Sequence, residues 1–133
     1  MFKKISLIAF VTLLLASCDI SREESSSCPV VIGVRATSVT GPSETAVDVP
    51  IILEVSYKTK KNCGDFASFY SSASSGPLSD IITVNVNYDA CSCDEVESTE
   101  KENYTFKKSL PGIYQVKFKE TNETFIVHTV TVQ

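Results

Sequence analysis

Five cysteines and a single histidine carry most of the reactive side-chain chemistry in this sequence. The thiols are Cys18, Cys28, Cys63, Cys91 and Cys93; thiols can carry a lipid, close disulfides or bind zinc. Zinc fits the spacing poorly, because Cys91 and Cys93 form one CxC pair, Cys28 and Cys63 stand alone, and no pair of CxxC knuckles is present. A Cys–His nucleophilic site would need a free thiol beside His128. The expected role of His128 is instead that of a partly buried or edge residue on the last strand. No serine lies in a nucleophile elbow, and no glycine-rich loop could cradle a phosphate. The sequence therefore points to no catalytic residue, no metal site and no cofactor.

The charged residues offer weaker signals. Asp94, Glu95, Glu97, Glu100 and Glu102 form an acidic run that could attract Ca²⁺, but the spacing matches no calcium loop and Lys101 interrupts it. A solvated loop is the expectation. Lys107, Lys117 and Lys119 occupy outward positions of late strands, where they would blunt sheet edges; binding of an anionic glycan is the alternative. Asn103-Tyr104-Thr105 and Asn122-Glu123-Thr124 fit a eukaryotic glycosylation pattern, a chance match in a chain with the leader described next. A sequence pI near 5.0 leaves no basic footprint for nucleic acid.

The N-terminus reads as an export address. Lys3 and Lys4 precede an apolar stretch at residues 5–16, too short to span the ~30 Å hydrocarbon core and of the length of a secretory h-region. Leu15-Ala16-Ser17-Cys18 resembles the lipobox of bacterial lipoproteins. That resemblance implies a signal peptide over residues 1–17, cleavage before Cys18, and acyl chains on Cys18 as a membrane anchor, palmitate among them. Each buried CH₂ would add ~0.8 kcal/mol to anchoring. Loss of Lys3 and Lys4 leaves ten basic and sixteen acidic residues, a net charge of −6. Residues 18–28 form the lipidated cysteine and a polar tether; its nine residues 19–27 reach at most ~30 Å extended and ~17 Å as a coil. Asp19, Glu23 and Glu24 resemble two opposed signals: inner-membrane retention in enterobacteria and surface export in Bacteroidota-type lipoproteins. The expected location is the cell envelope, at the outer membrane rather than the inner.

Residues 29–133 alternate with period two, the signature of half-buried strands. Val30, Ile32, Val34 and Ala36 share one face until the break at Gly41-Pro42-Ser43. Val47 to Tyr57 form the longest alternation, with Pro50 marking an edge or bulge. Phe66 to Tyr70 make a short aromatic strand, followed by a loop at residues 71–79. Ile82, Val84, Val86 and Tyr88 form the next strand; Tyr104 and Phe106, then Tyr114, Val116 and Phe118, then Ile126, Val130 and Val132 complete the series. About seven strands with frequent turns and no helical stretch predict an all-β sandwich.

Leu110-Pro111-Gly112-Ile113-Tyr114-Gln115-Val116 resembles the entry to the sixth strand of immunoglobulin-like and fibronectin-like domains, which implies that the Tyr114 hydroxyl bonds back across the corner as a tyrosine corner. The antibody marks of a core Trp and a sixth-strand Cys are missing. The chain as a whole is similar to small immunoglobulin-like lipoproteins of Bacteroidota.

With strands alternating up and down, Cys28, Cys63, Cys91 and Cys93 fall at one pole. In an oxidising compartment these four read as two disulfides. A Cys91–Cys93 ring is too small for good geometry, so Cys28 and Cys63 should each pair with one of Cys91 and Cys93, at ~2–4 kcal/mol per bridge. Cys18 and its lipid would lie at the same pole, and the loops 40–46, 71–79 and 109–112 at the outward one. The expected function is that of a membrane-anchored, non-enzymatic binding or structural module for an envelope protein or glycan. The alternative is an accessory subunit or small hydrolase acting on envelope material.

Overall fold

The computed structural model describes residues 28–73, 76–89, 93 and 95–133. The expected signal peptide, Cys18 and the expected tether up to residue 27, and also Cys91 and Asp94, lie outside the described residues. Among these residues nine strands make up the all-β body: β1 (Val30–Val34), β2 (Ala36–Thr40), β3 (Glu44–Thr45), β4 (Ile51–Lys60), β5 (Gly64–Ala73), β6 (Ser79–Tyr88), β7 (Glu97–Phe106), β8 (Gly112–Lys119) and β9 (Phe125–Val132). No helix occurs among the described residues.

The strands form two sheets. The smaller has the order β2-β4-β7. In the larger, β5 pairs with one side of β6 over its whole length. The other side of β6 is shared: β8 covers its first half, from Ser79 to Ile82, and β1 covers its second half, from Val84 to Tyr88. β9 then pairs with β8, and β3 with β9. β4, β6 and β8 run toward the cysteine pole and the other strands run away from it. From β3 onward the directions alternate, which makes β6 and β8 parallel neighbours, a strand order that departs from the fully antiparallel sheets of immunoglobulin domains.

Period-two alternation places the core. Leu53, Val55 and Tyr57 of β4 face Ile82, Val84 and Val86 of β6 and Val116 and Phe118 of β8, all nearly sealed from solvent. Each such side chain contributes about 1.5–3 kcal/mol on burial. Four aromatic rings, Phe66, Phe69, Tyr104 and Phe118, run through this core with successive centroids 4.9, 5.3 and 5.4 Å apart.

Several boundaries differ from the sequence expectation. The first predicted strand divides at Arg35: β1 belongs to the larger sheet and β2 to the smaller. The Arg35 carbonyl accepts from the Lys58 amide at 3.1 Å at this crossing. The long alternation begins at Ile51 instead of Val47, because Asp48 is left-handed at φ 62° and Pro50 has no amide to give a ladder. β5 continues through Ser71 and Ser72, whose backbones pair with Ile82 and Ile81, so the predicted 71–79 loop is strand at both of its ends. The expected acidic loop of residues 94–102 is strand from Glu97 on, as the first half of β7, held by an unbroken ladder to β4 from Lys60↔Glu97 to Ile51↔Phe106. β8 is an inner strand, so Lys117 and Lys119 guard no sheet edge. Lys107 does lie beside one, at the end of the edge strand β7, 3.8 Å from Asp48.

At the pole opposite the cysteines, the Tyr114 hydroxyl donates to the Leu110 carbonyl at 3.0 Å. Beside it, Lys108 forms an ion pair with Asp80 at 2.8 Å and lies over the Tyr114 ring at 5.3 Å. Tyr114→Phe keeps the ring and removes the back-bond. It should lower stability by about 1 kcal/mol, measured as a shift of the urea midpoint at unchanged slope.

Candidate functional site

The strongest candidate is a cleft of about 680 Å³ at the cysteine pole, where the two sheets part below the core. Its position follows from strand register. Paired residues on neighbouring strands share a face. Tyr57 pairs with Glu100 and Val55 with Glu102, just as Leu53 pairs with Tyr104 and Ile51 with Phe106. Glu100 and Glu102 therefore stand on the core-facing side of β7. The inward file that is aromatic in its upper half becomes acidic in its lower half.

The opposite wall comes from the start of β5. The turn from β4 into β5 passes through Asn62 at φ 60°, a left-handed conformation that asparagine tolerates. Gly64 follows because space is short: a Cβ there would run into the Thr59 hydroxyl and lie 2.8 Å from Val86 Cγ1. Asp65 and Phe66 then enter the cleft, and Asp89 closes it from the end of β6. Cys63 and Cys93 are bonded to each other with Cα atoms 5.6 Å apart, which fastens this turn to the segment leading into β7. Cys28 is also disulfide-bonded. Val30 pairs with Tyr88, and Tyr88 pairs with Gly64, so Cys28 and Cys63 lie at the same end.

Charge in the cleft is predominantly acidic, with Asp65, Asp89, Glu100 and Glu102 against Lys60 and Lys101. Two lysines lie on its rim, but each is engaged: Lys60 with Glu95 at 3.3 Å and Lys101 with Glu54 at 2.7 Å. Arg35 is held in a two-pronged pair with Glu97, and Asp89 accepts from Asn87. Asp65, Glu100 and Glu102 have no ion pair among the described residues. The Tyr57 side chain is almost wholly buried, at 3 % exposure. Its hydroxyl has no hydrogen-bond partner among the described residues.

Burial raises the pKa of Tyr57 above the usual tyrosine value, and the charges of Glu102, Glu100 and Asp65 push it further in the same direction. Burial also raises Tyr104, with Asp80 adding to it. The unfolded chain therefore gives up these protons first. The stability contributed by the two neutral tyrosines is complete below pH ~10 and is lost as pH rises through the folded values. Urea midpoints recorded from pH 8.5 upward should fall above pH ~10, and Tyr104→Phe should flatten that fall.

The remaining sequence candidates lie elsewhere. His128 Nε2 is 3.0 Å from the Pro42 carbonyl, so this nitrogen carries the hydrogen, and the ring ties β9 to the 41–43 turn. It meets neither Cys63 nor Cys93. Among the described residues no three His, Cys, Asp or Glu side chains stand together as a metal site. The cleft was missed because Glu97–Glu102 read as a loop; counting back in twos from Phe106 and Tyr104 places Glu102 and Glu100 inward. Comparison with known protein families, with curated proteins and with solved structures finds no match to this chain.

Proposed function

We propose that this chain is a lipid-anchored module of the cell envelope that binds a ligand without transforming it. The anchor is the lipid on Cys18, the tether is residues 18–28, and the body is an immunoglobulin-like sandwich over residues 29–133. The observation that carries the binding reading is the cleft in which Glu100 and Glu102 occupy core-facing positions without a cation. Glu100 is exposed and Glu102 half-buried at the open end of that face, where like charges held close repel one another. A ligand that supplies the missing charge gives them a purpose.

Two further observations support the address. The Cys63–Cys93 bridge suits an oxidising compartment outside the cytosol. The back-bond from Tyr114 to Leu110 suits the immunoglobulin-like reading of the corner. With Cys63 and Cys93 joined, Cys91 is the proposed partner of Cys28. The test of the address is Cys18→Ser in a bacterial host fed labelled palmitate. Loss of label and of membrane association in the variant is expected. Unchanged processing and membrane association, in the variant and under globomycin, would overturn the reading.

A further inference from the structure

We infer that the cleft at the cysteine pole binds organic ammonium groups, with Glu100, Glu102 and Asp65 as its anionic wall and the Tyr57 hydroxyl at its floor. This names a ligand class for the binding module proposed above and rests on that reading.

The inference stands on two independent observations. The first is electrostatic: three carboxylates share one cleft and none has a cation, while the lysines nearest them are taken up by Glu95 and Glu54. The second is Tyr57. A tyrosine buried to this degree ordinarily satisfies its hydroxyl, yet this one opens into the cleft among the same carboxylates without a protein partner. A hydroxyl can accept a hydrogen bond, and an ammonium group has three to donate. The Tyr57 and Phe66 rings, with centroids 6.4 Å apart, supply aromatic surface to which a cation is also drawn.

The spacing of the acids selects among cations. No three acidic groups among the described residues come together as a metal site, so a compact divalent ion finds no ring of oxygens. A chain with several ammonium groups can meet the carboxylates one at a time. The cleft volume of about 680 Å³ falls within the range of small-ligand sites. The same chemistry could come from a free polyamine or from lysine side chains of a partner protein.

Isothermal titration of the full chain in detergent distinguishes these sources. The probes are spermidine, a tetralysine peptide and CaCl₂, each at low and at physiological ionic strength. Spermidine, tetralysine or both should bind, more weakly as salt rises. The double variant Glu100→Gln/Glu102→Gln should weaken that binding by at least about tenfold, and Tyr57→Phe by about threefold, energies in the range of one or two lost charge-assisted bonds. Glu123→Gln, in the β8–β9 turn, should leave it unchanged. Binding of spermidine alone identifies a free polyamine; preference for tetralysine identifies a protein side chain. No binding of either amine overturns the inference, as does amine binding untouched by the double variant or a site that Ca²⁺ fills in preference to both. Thermal melts check folding, and if Tyr57→Phe does not fold, the surface double variant decides. None of these readouts depends on Cys18, so failure here leaves the envelope address intact, and failure of the palmitate test leaves this result interpretable.

Discussion

Phe118→Ala is expected to lower the free energy of unfolding by about 3–5 kcal/mol, the largest effect of any single truncation proposed for this chain. Phe118 is fully buried on β8, an inner strand. Its ring meets Tyr104 of the opposite sheet edge-on, at 5.4 Å and 89°. Truncation removes that contact and opens a cavity beneath β8, a strand paired on one side with β6 and on the other with β9, which resists collapse into it. A domain of this size has about 5–15 kcal/mol to lose, so the variant should be largely unfolded at moderate temperature. Tyr70→Ala is the matched control. Tyr70 is also aromatic and also in a strand, but it is 60 % exposed, and its loss should stay within about 0.5 kcal/mol. Urea unfolding of both variants checks the contrast. Equal midpoints for the two would contradict the core described above.

The double variant Cys63→Ser/Cys93→Ser should cost roughly 3–4 kcal/mol. The bridge closes a loop with a sequence separation of 30, and the chain-entropy relation gives a value of that size for such a loop. Most of the effect lies in the unfolded chain, which regains freedom when the loop opens. The measurement is the urea midpoint of the oxidised wild type against the double variant. Substitution is a cleaner comparison than reductant, because reductant would also open the bond at Cys28. A midpoint unchanged within error would show that the bridge stabilises nothing.

Much of the fold is legible in apolar alternation alone. Ile82, Val84 and Val86, then Tyr114, Val116 and Phe118, then Leu53, Val55 and Tyr57 announce buried faces, and all nine are buried. What alternation does not record is which sheet a strand joins. Nothing in Val30 to Ala36 marks Arg35 as the place where the chain changes sheets. The alternation of strand directions is readable, but the parallel placement of β6 against β8 depends on long-range packing. Composition also misleads where a strand is built on its backbone. Ser71 and Ser72 pair through amides and carbonyls that any residue has. The first half of β7 is a strand because β4 offers it a complete ladder, in spite of its acidic side chains. That same composition hid the cleft: Glu100 and Glu102 follow the parity of Tyr104 and Phe106, but parity has meaning only once the segment is known to be extended.

The shared edge of β6 has a kinetic consequence. Along most of its length this strand is flanked on both sides, by β5 and by β8 or β1 in turn. Opening any one neighbour leaves it still enclosed by another. In deuterium exchange, the amides of Ile82, Val84 and Val86 should therefore outlast the rest and trade their hydrogens only when the whole body opens. β1 has one partner and an apolar surface in water, with Val31 58 % exposed. It should exchange early and by itself, so that labelling begins where the chain enters the domain.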